Sequence, residues 1–496
     1  MTALAAIPFL VFFILLFWKK SKLLTSSAAA LLTTLVLVVL VWKMDTGFVV
    51  ASLIKGTFIA FDIFLIVFGA IFFLDTLKSA RIISSLCSYL ETFSKDYRIQ
   101  VILLAWFLEN FLEGTAGFGS ASTVVAPLLV AIGMAPILAA SVSLLGNSTS
   151  VAFGAAGTPI RTGFAGLDVT GVPQLTATFN LIGFIVPAFM LWLASSGQPD
   201  RKRDFLEALP FAVFAGFAFV IPSLAVVGLG QEFPSIIGSV AGLLITLAAI
   251  KLRLFVPATV RSLTGRDAPS EKLPLKQVIF PYFLMIILLI VGKFFLSGMG
   301  IPVKFGLSHT FSLFNPGLIF IVSALPVVFS RSRGGDSLFP SLWSAIKRSL
   351  EPFLVIAFMT AMVQLMIYSG ENSTGYLSIL NFLARVFITP LLPFLASVAG
   401  AFGTFLTGSA TISNIMMGSL LSNAANIVGI SSALILSIGL AGAAAGNIIS
   451  IADIMPALAV LNIKNAERSV LKNVIIPCAI YVLLIGIAGL LVSRFT

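Results

Sequence analysis

Charged residues are scarce in this chain. Only 10% of its 496 residues are Asp, Glu, Lys or Arg, whereas 59% are apolar and the mean hydropathy is +1.10. Soluble domains carry about 25% charged residues, so this composition excludes an ordinary soluble protein and indicates a membrane protein with many spans. The apolar runs are continuous over about 16–23 residues, which favours transmembrane helices over the short alternating strands of a barrel.

Cysteine and histidine are also nearly absent. The two cysteines, Cys87 and Cys478, match neither a disulfide framework nor the spacing of a metal site. The single histidine, His309, falls in a predicted external loop, which is a poor place for a proton relay. The glycine-rich segment 114–119 lacks the lysine of a phosphate-binding loop. We therefore predict no metal, no cofactor and no ATP hydrolysis.

Lysine and arginine indicate which loops are cytoplasmic. The basic residues concentrate in alternate loops, which explains the net charge of +11 without a nucleic-acid partner. These loops are Lys19–Lys22, Lys78–Arg98, Arg201–Arg203, Lys251–Lys276, Arg331–Arg348 and Lys464–Lys472. The alternation predicts an all-α polytopic membrane protein with about 12 spans and both termini outside, provided that two further segments are re-entrant hairpins.

Those two segments contain the same unusual sequence motif. Phe111-Leu-Glu-Gly-Thr115 and Phe405-Leu-Thr-Gly-Ser409 are both followed by small and hydroxyl residues inside apolar stretches. Such breaks are tolerated at membrane depth only where the backbone is buried in protein or lines a wet cavity. Paired breaks in corresponding halves are the sequence feature that best indicates the binding site of a secondary transporter.

Other landmarks repeat in the same order, which suggests a duplication. Phe64-Leu-Ile-Val resembles Phe353-Leu-Val-Ile, and Gly146 corresponds to Gly442. With the predicted orientation, the two halves form inverted-topology repeats that meet near the midplane. We predict a first half at 1–250 with a hairpin near 99–133, a cytoplasmic connection at 251–276, and a second half at 277–496 with a hairpin near 391–427.

Two carboxyl groups are candidates for proton coupling. Glu113 lies at the first break and Glu109 lies one turn earlier. Acidic residues at membrane depth are costly and are functional candidates by default. The structural alternative is that Glu113 caps a half-helix or pairs with a basic residue. Asp62, Asp75 and Asp453 fall near span ends, where we predict solvated or paired side chains.

The breaks also favour an anion site. Broken helices expose backbone N–H groups at their N-terminal ends, and the helix dipole there attracts negative charge. Arg161 is either a counter-ion for an anionic substrate or, as we favour, an interfacial anchor. Helix packing alone also explains any single small residue. The substrate-binding candidates are Gly114, Thr115, Gly117, Gly119, Ser120, Asn147, Thr407, Gly408, Ser409, Thr411, Asn414 and Arg161.

At these residues the sequence resembles the lactate permease family. The matching stretches are Phe111–Ile160, with FLEGTAGFGSAS and LLGNSTSVAFGAAGTPI, and Gly400–Ser450, with FGTFLTGSATISN. Between them, Ser341–Gly370 keeps the pattern of a basic interfacial helix that leads into a span. The resemblance implies import of a small 2-hydroxy monocarboxylate, such as L-lactate or glycolate, by proton symport across the bacterial inner membrane.

The chain departs from the family pattern at three places. Ala410 stands where the family usually has an acidic residue, Glu109-Asn110 stands where small residues are usual, and Arg161 replaces an apolar residue. A sodium-coupled carrier of carboxylates or inorganic anions remains an alternative, with residues 146–149 and 413–414 as sodium ligands. A channel or a membrane enzyme is a further alternative. The exact substrate and the oligomeric state stay open.

Overall fold

Helices form almost all of the computed structural model. It describes residues 1–18, 21–117, 119, 121–263, 272–332 and 339–495. The side chains of residues 17, 18, 331, 332 and 339–341 are not described. Lys19, Lys20, Ser120, Arg333 and residues 264–271 of the predicted connection lie outside the described residues.

The first half of the chain contains thirteen α-helices in the described structure, of which the third is the longest, with 34 residues. In order these are α1 (Thr2–Phe13), α2 (Leu23–Leu40), α3 (Thr46–Ser79), α4 (Ile82–Glu91), α5 (Tyr97–Val101), α6 (Glu109–Ala116), α7 (Ser122–Ala131), α8 (Pro136–Gly146), α9 (Gly154–Arg161), α10 (Val172–Asn180), α11 (Val186–Ala194), α12 (Arg201–Val226) and α13 (Pro234–Lys251).

The second half contains a pair of strands near its start. Its elements are α14 (Leu275–Leu296), β1 (Gly300–Phe305), β2 (Leu307–Ser312), α15 (Pro316–Ser332), α16 (Phe339–Tyr368), α17 (Ile379–Ala384), α18 (Leu392–Thr407), α19 (Ala410–Val428), α20 (Ser432–Gly446), α21 (Ile451–Val460) and α22 (Glu467–Val492).

The prediction of an all-α polytopic membrane protein is confirmed. Among the described residues, ten helical segments are long and apolar enough to cross a membrane, and up to 12 if each of two bent helix pairs is one span. A crossing needs about 20 helical residues, because each residue advances the helix by about 1.5 Å. The orientation of the termini and the division into halves stay predictions.

One small sheet was not expected. Strands β1 and β2 pair antiparallel around Gly306, whose φ of +68° suits glycine. This β-hairpin lies against α3, where His309 Nε2 is 3.0 Å from Asp62 Oδ2. Asp62 is thus paired, as predicted, although by a residue that sequence analysis placed in a loop.

Helices α3 and α16 form the most extensive helix pair in the described structure. Gly56 leaves room for the backbone of Ala361, and the rings of Phe64 and Phe353 meet at 5.2 Å. At the far end of the pair, Arg348 Nη1 lies 2.7 Å from Asp75. Two of the repeated sequence landmarks therefore pack directly on each other.

Both predicted hairpins are helix–turn–helix units. In the first, one helix runs from Tyr97 to Ala116 through a wider π-helical segment, and the chain then turns back into α7. In the second, α18 ends at Gly408 and α19 begins almost immediately. The ten-residue α7 is about 15 Å long, too short to cross a bilayer.

A buried arginine fixes the start of the first hairpin. The fully buried Arg98 forms ion pairs with Asp96 at 2.7 Å and Glu207 at 3.2 Å. The segment after α13 joins the same cluster, since Tyr97 N donates to the carbonyl of Arg261 and Arg261 N donates to Asp96. The guanidinium group therefore ties the hairpin to α12 and to the predicted cytoplasmic connection.

We predict that Arg98→Ala destabilises the protein by about 3–5 kcal/mol, because it leaves a buried carboxylate unpaired. Arg98→Lys should recover little, since an ammonium group lacks the planar fork that reaches Asp96 and Glu207 together. Thermal unfolding in detergent measures both effects. The exposed Arg468 gives a matched Arg468→Ala control, and equal losses in the two alanine variants would contradict the assignment.

Candidate functional site

Four chain breaks meet in the interior of the protein. Two are the hairpin turns at Gly117 and Gly408, and two interrupt the α8–α9 and α20–α21 segments. They enclose a small cavity with about 20 Å³ of room for the centres of water-sized molecules, which accommodates about one water. Its lining is Glu113, Gly117, Gly119, Val151, Gly154, Ala155, Thr158, Pro159, Gly408, Ser409, Ala410, Thr411 and Asn447.

Glu113 extends into this cavity from the last turn of α6. Its side chain is 3% exposed, and Oε2 has no hydrogen-bond partner. A Cβ added at Gly154 would lie 2.7 Å from Glu113 Oε1, so the carboxyl group can approach only because residue 154 is glycine. The helix ends one turn later at Gly117, whose φ of +61° and ψ of −164° are accessible essentially only to glycine.

Glu109 is buried completely but lies outside the cavity lining. Its carboxyl oxygens accept hydrogen bonds from Ser122 at 2.6 Å and from Ser143 at 2.7 and 2.9 Å. These serines belong to α7 and α8, so Glu109 holds the returning arm of the hairpin against the broken span. A role for Glu109 in proton coupling stays a prediction.

The second hairpin presents the N-terminal end of α19 to the cavity. Ser409 caps this helix by accepting from the N–H of Ile412, and Thr411 follows in its first turn. The Thr407 hydroxyl donates to the carbonyls of Gly403 and Ser409, which stabilises the turn. This arrangement aims the positive end of the helix dipole at the cavity.

The two halves of the chain touch through amide side chains. Asn447 donates to the carbonyl of Asn147 at 3.3 Å, and Asn414 donates to the carbonyl of Pro159 at 2.8 Å. Asn147 and Asn447 each follow the last residue of a helix, at equivalent points of the two broken spans. The hairpin of the second half is thereby attached to the broken span of the first.

Several buried polar atoms near Asn147 have no hydrogen-bond partner within the described residues. Both side-chain atoms of Asn147 and the hydroxyls of Ser148 and Ser150 are buried without a hydrogen bond. Each such group costs about 1–3 kcal/mol. Because buried polar groups are normally satisfied, a concentration of exceptions calls for an explanation such as an ion or ligand.

Not every predicted residue reaches the cavity. Gly117, Gly119, Gly408, Ser409, Thr411 and Glu113 line it, whereas Gly114, Thr115, Thr407, Asn147, Asn414, Glu109 and Arg161 do not. Gly114 lies inside α6 and packs against Ser235 and Ile236 of α13. Thr115 donates to the carbonyl of Leu112 at 3.0 Å. The structure does not describe Ser120.

Arg161 lies in an ion-pair cluster. Its guanidinium is 3.8 Å from Glu232, lies over the ring of Phe314 at 5.3 Å, and donates to the Phe314 carbonyl. Lys293 Nζ is closer to Glu232, at 3.1 Å. Two cations therefore share one buried carboxylate, which sequence spacing could not have indicated.

Asp453 is the residue that sequence analysis missed. We expected it to be solvated or paired, and that prediction is wrong: Asp453 is 4% exposed and forms no ion pair in the described part of the chain. It lies in the first turn of α21, directly after the break at Asn447–Ser450. Oδ1 faces Gly119, and Oδ2 has no partner. The sequence feature that could have identified Asp453 was the break at Asn447–Ser450, which precedes it by about one helical turn.

Comparison with known proteins gives consistent matches. The L-lactate permease of Escherichia coli (strain K12) is 25% identical over 98% of this chain and 94% of its own. The L-lactate permease of Streptococcus iniae is 28% identical, over 75% and 80%, and the glycolate permease of Escherichia coli (strain K12) is 26% identical, over 80% and 78%.

Among solved structures, the YdaH transporter of Alcanivorax borkumensis aligns with 87% of this chain and 85% of its own, at 16% identity and a TM-score of 0.44. The family described as L-lactate permease matches residues 2–303 and 293–495. Since the family match extends over nearly the whole sequence, this multi-pass membrane protein is a permease and not an enzyme, and it belongs to the L-lactate permease family.

Proposed function

We propose that this protein imports a small 2-hydroxy monocarboxylate, L-lactate or glycolate, by proton symport across the bacterial inner membrane. The observation that carries the proposal is the cavity where Glu113 meets the N-terminal end of α19. The anion needs N–H donors, which the start of α19 supplies, and the proton needs a carboxyl group, which Glu113 supplies. The names of the related permeases support the choice of substrate.

The substrate carboxylate binds at the start of α19 in this proposal. The first N–H groups of a helix lack intrahelical partners and attract anions. The hydroxyls of Ser409 and Thr411 are beside these N–H groups and add donors. Gly408 keeps the turn free of a side chain, so a carboxylate can approach the backbone closely.

Glu113 carries the coupled proton. A negatively charged Glu113 would repel the arriving carboxylate in a nearly dry cavity, so the anion binds best when the Glu113 carboxyl group is protonated. Release of the anion and the proton then occurs together on the cytoplasmic side. Because the cavity has room for about one water, substrate entry needs a conformation in which the breaks separate.

We also propose that residues 1–250 and 277–496 are inverted halves joined by a cytoplasmic connection at 251–276, with both termini outside. Support comes from the ring contact between Phe64 and Phe353 and from the equivalent positions of Asn147 and Asn447. Alternating access then follows from movement of the hairpins against the broken spans.

Sodium coupling is the second candidate, favoured by one observation. Asn147, Ser148 and Ser150 carry buried oxygen atoms without partners, and oxygen ligands suit hard cations. Proteoliposomes with separately imposed pH and sodium gradients decide between the two ions. We expect accumulation of L-lactate or glycolate with an acidic exterior and none with a sodium gradient alone. Accumulation driven by sodium alone, or by neither gradient, would contradict proton symport.

We predict that Glu113→Gln abolishes gradient-driven accumulation while substrate exchange partly survives. Glutamine keeps the size and hydrogen bonding of the side chain but cannot carry a proton. Uptake of radiolabelled lactate and counterflow measure the two activities in the same vesicles. Glu371→Gln, in an exposed loop, is the control and should behave as wild type. Normal accumulation by Glu113→Gln would show that another group carries the proton.

We predict that Gly408→Ala lowers uptake at low substrate concentration at least about tenfold, equivalent to ~1.4 kcal/mol of binding free energy. Gly408 has a φ of +70°, and an added Cβ would collide with Ala452. Gly429 is the matched control, because it ends α19 with a φ of +79° and has open space around it.

Both substitutions impose similar backbone strain, of about 1–2 kcal/mol, and the collision with Ala452 adds to the loss of thermal stability in Gly408→Ala alone. Only Gly408→Ala should also weaken binding. If uptake falls equally in the two variants after correction for folded protein, Gly408 serves the fold and not the substrate.

A further inference from the structure

One turn of the second half contacts both hairpin tips. Gly408 lies against Ala452, and Gly119 of the first hairpin lies against Oδ1 of Asp453. A side chain at Gly119 would collide with that carboxyl group. Ser450, at the break, caps α21 and accepts from the N–H of Asp453. The start of α21 thus brings a carboxyl group to the same interface as Glu113.

The two carboxyl groups approach the same small region of the interior. Asp453 Oδ1 lies against Gly119, and Gly119 lines the same cavity as Glu113. Glu113 Oε2 and Asp453 Oδ2 are both buried, and neither has a hydrogen-bond partner. Ser409 and Ala410, at the tip of the second hairpin, offer no carboxyl group. Asp453 is therefore the acid that the second half brings to this interface.

No cation balances this pair among the residues that the structure describes. From α6, Glu109 lies one turn before Glu113, but its oxygens are occupied by Ser122 and Ser143. Asn147, which directly follows α8, contributes a neutral amide next to Glu113. Arg161 and Lys293, which carry positive charge in the neighbourhood, both lie at Glu232.

An isolated pair of ionised carboxyl groups is unstable in such surroundings. Each buried charge loses several kcal/mol of hydration without gaining an ion pair, and the two negative charges repel each other. Binding of one positive charge lowers the electrostatic free energy of the pair. A proton fits the available space, because it needs no room of its own and removes one of the two negative charges.

We propose that Glu113 and Asp453 hold the coupling proton jointly, as one shared site between the two halves. Binding forms a single O–H bond and changes the charge of the pair from two negative charges to one. This inference rests on the proposed function and adds to it a second coupling residue and a stoichiometry. The substrate anion enters after the proton, and the two leave together.

The test compares Asp453→Asn, Glu113→Gln and the double variant in proteoliposomes. We expect each single variant to lose pH-driven accumulation and to keep part of its lactate exchange. The double variant should lose no more than either single variant, because residues that act as one unit give non-additive losses. Asp168→Asn, an exposed loop carboxyl, is the control and should accumulate normally.

A measurement on the wild-type protein covers the case in which Asp453→Asn fails to fold. The lactate concentration ratio at which net flux reverses under an imposed pH gradient, with the membrane voltage held at zero, gives the number of protons per anion. A shared site predicts one proton per monocarboxylate. Two protons per anion would overturn the shared site, since each carboxyl group would then carry its own.

Other outcomes separate this inference from the proposed function. Normal accumulation by Asp453→Asn, together with failure of Glu113→Gln, would overturn the role of Asp453 and leave proton symport intact. Normal accumulation by both variants would overturn the assignment of the proton to Glu113 as well. Accumulation of lactate that requires sodium would overturn both, because sodium would be the coupling cation.

Discussion

The cost of leaving polar backbone groups in an apolar environment governs this structure. Every break in a transmembrane helix frees N–H and C=O groups, and no water is present in the bilayer core to satisfy them. Breaks are therefore tolerated only inside the protein. Here four breaks are gathered in one interior region, where they face each other across a cavity with room for about one water. The same enclosure makes the region suitable for binding a polar ligand.

Small residues make this enclosure possible. Gly154 admits the carboxyl group of Glu113, and Gly119 admits that of Asp453. Away from the cavity, Gly146 lies against the carbonyl of Ala105, and Gly442 lies against the backbone of Ser397. Without a hydrophobic force between helices in lipid, such close backbone contact supplies much of the association. The abundance of glycine and serine near the breaks thus serves packing as well as binding.

Sequence analysis succeeded where a local pattern determined the structure. The repeated motif identified both hairpins, and Glu113, Gly117 and Gly408 do line one cavity. The repeated motif did not predict the exact position of each turn. Gly114 lies inside a helix, whereas its counterpart Gly408 forms the turn. The reason is that α6 continues through Thr115 and Ala116, so the chain leaves the helix at Gly117 and not at Gly114.

Features set by distant contacts were not predictable. The sequence signals the break before Asp453 but does not reveal that this break lies in the protein interior, so Asp453 looked like a residue at a span end. Arg161 pairs with Glu232 from a loop about 70 residues away. Strands β1 and β2 escaped notice because they are short and lie in a chain whose other described elements are helices. In each case contacts with residues distant in the sequence, and not the local sequence, determine the structure.

The central claim is that a small carboxylate binds between the hairpin tips, and protection from alkylation tests it most directly. The chain has only two cysteines, Cys87 and Cys478, and both are buried. A cysteine at Thr411 would line the cavity, whereas one at Asn426 would lie exposed on the same helix, about 22 Å away. The account predicts that L-lactate slows alkylation of Thr411→Cys and leaves Asn426→Cys unaffected. Equal alkylation rates of Thr411→Cys with and without saturating lactate, in protein that still transports it, would contradict the account.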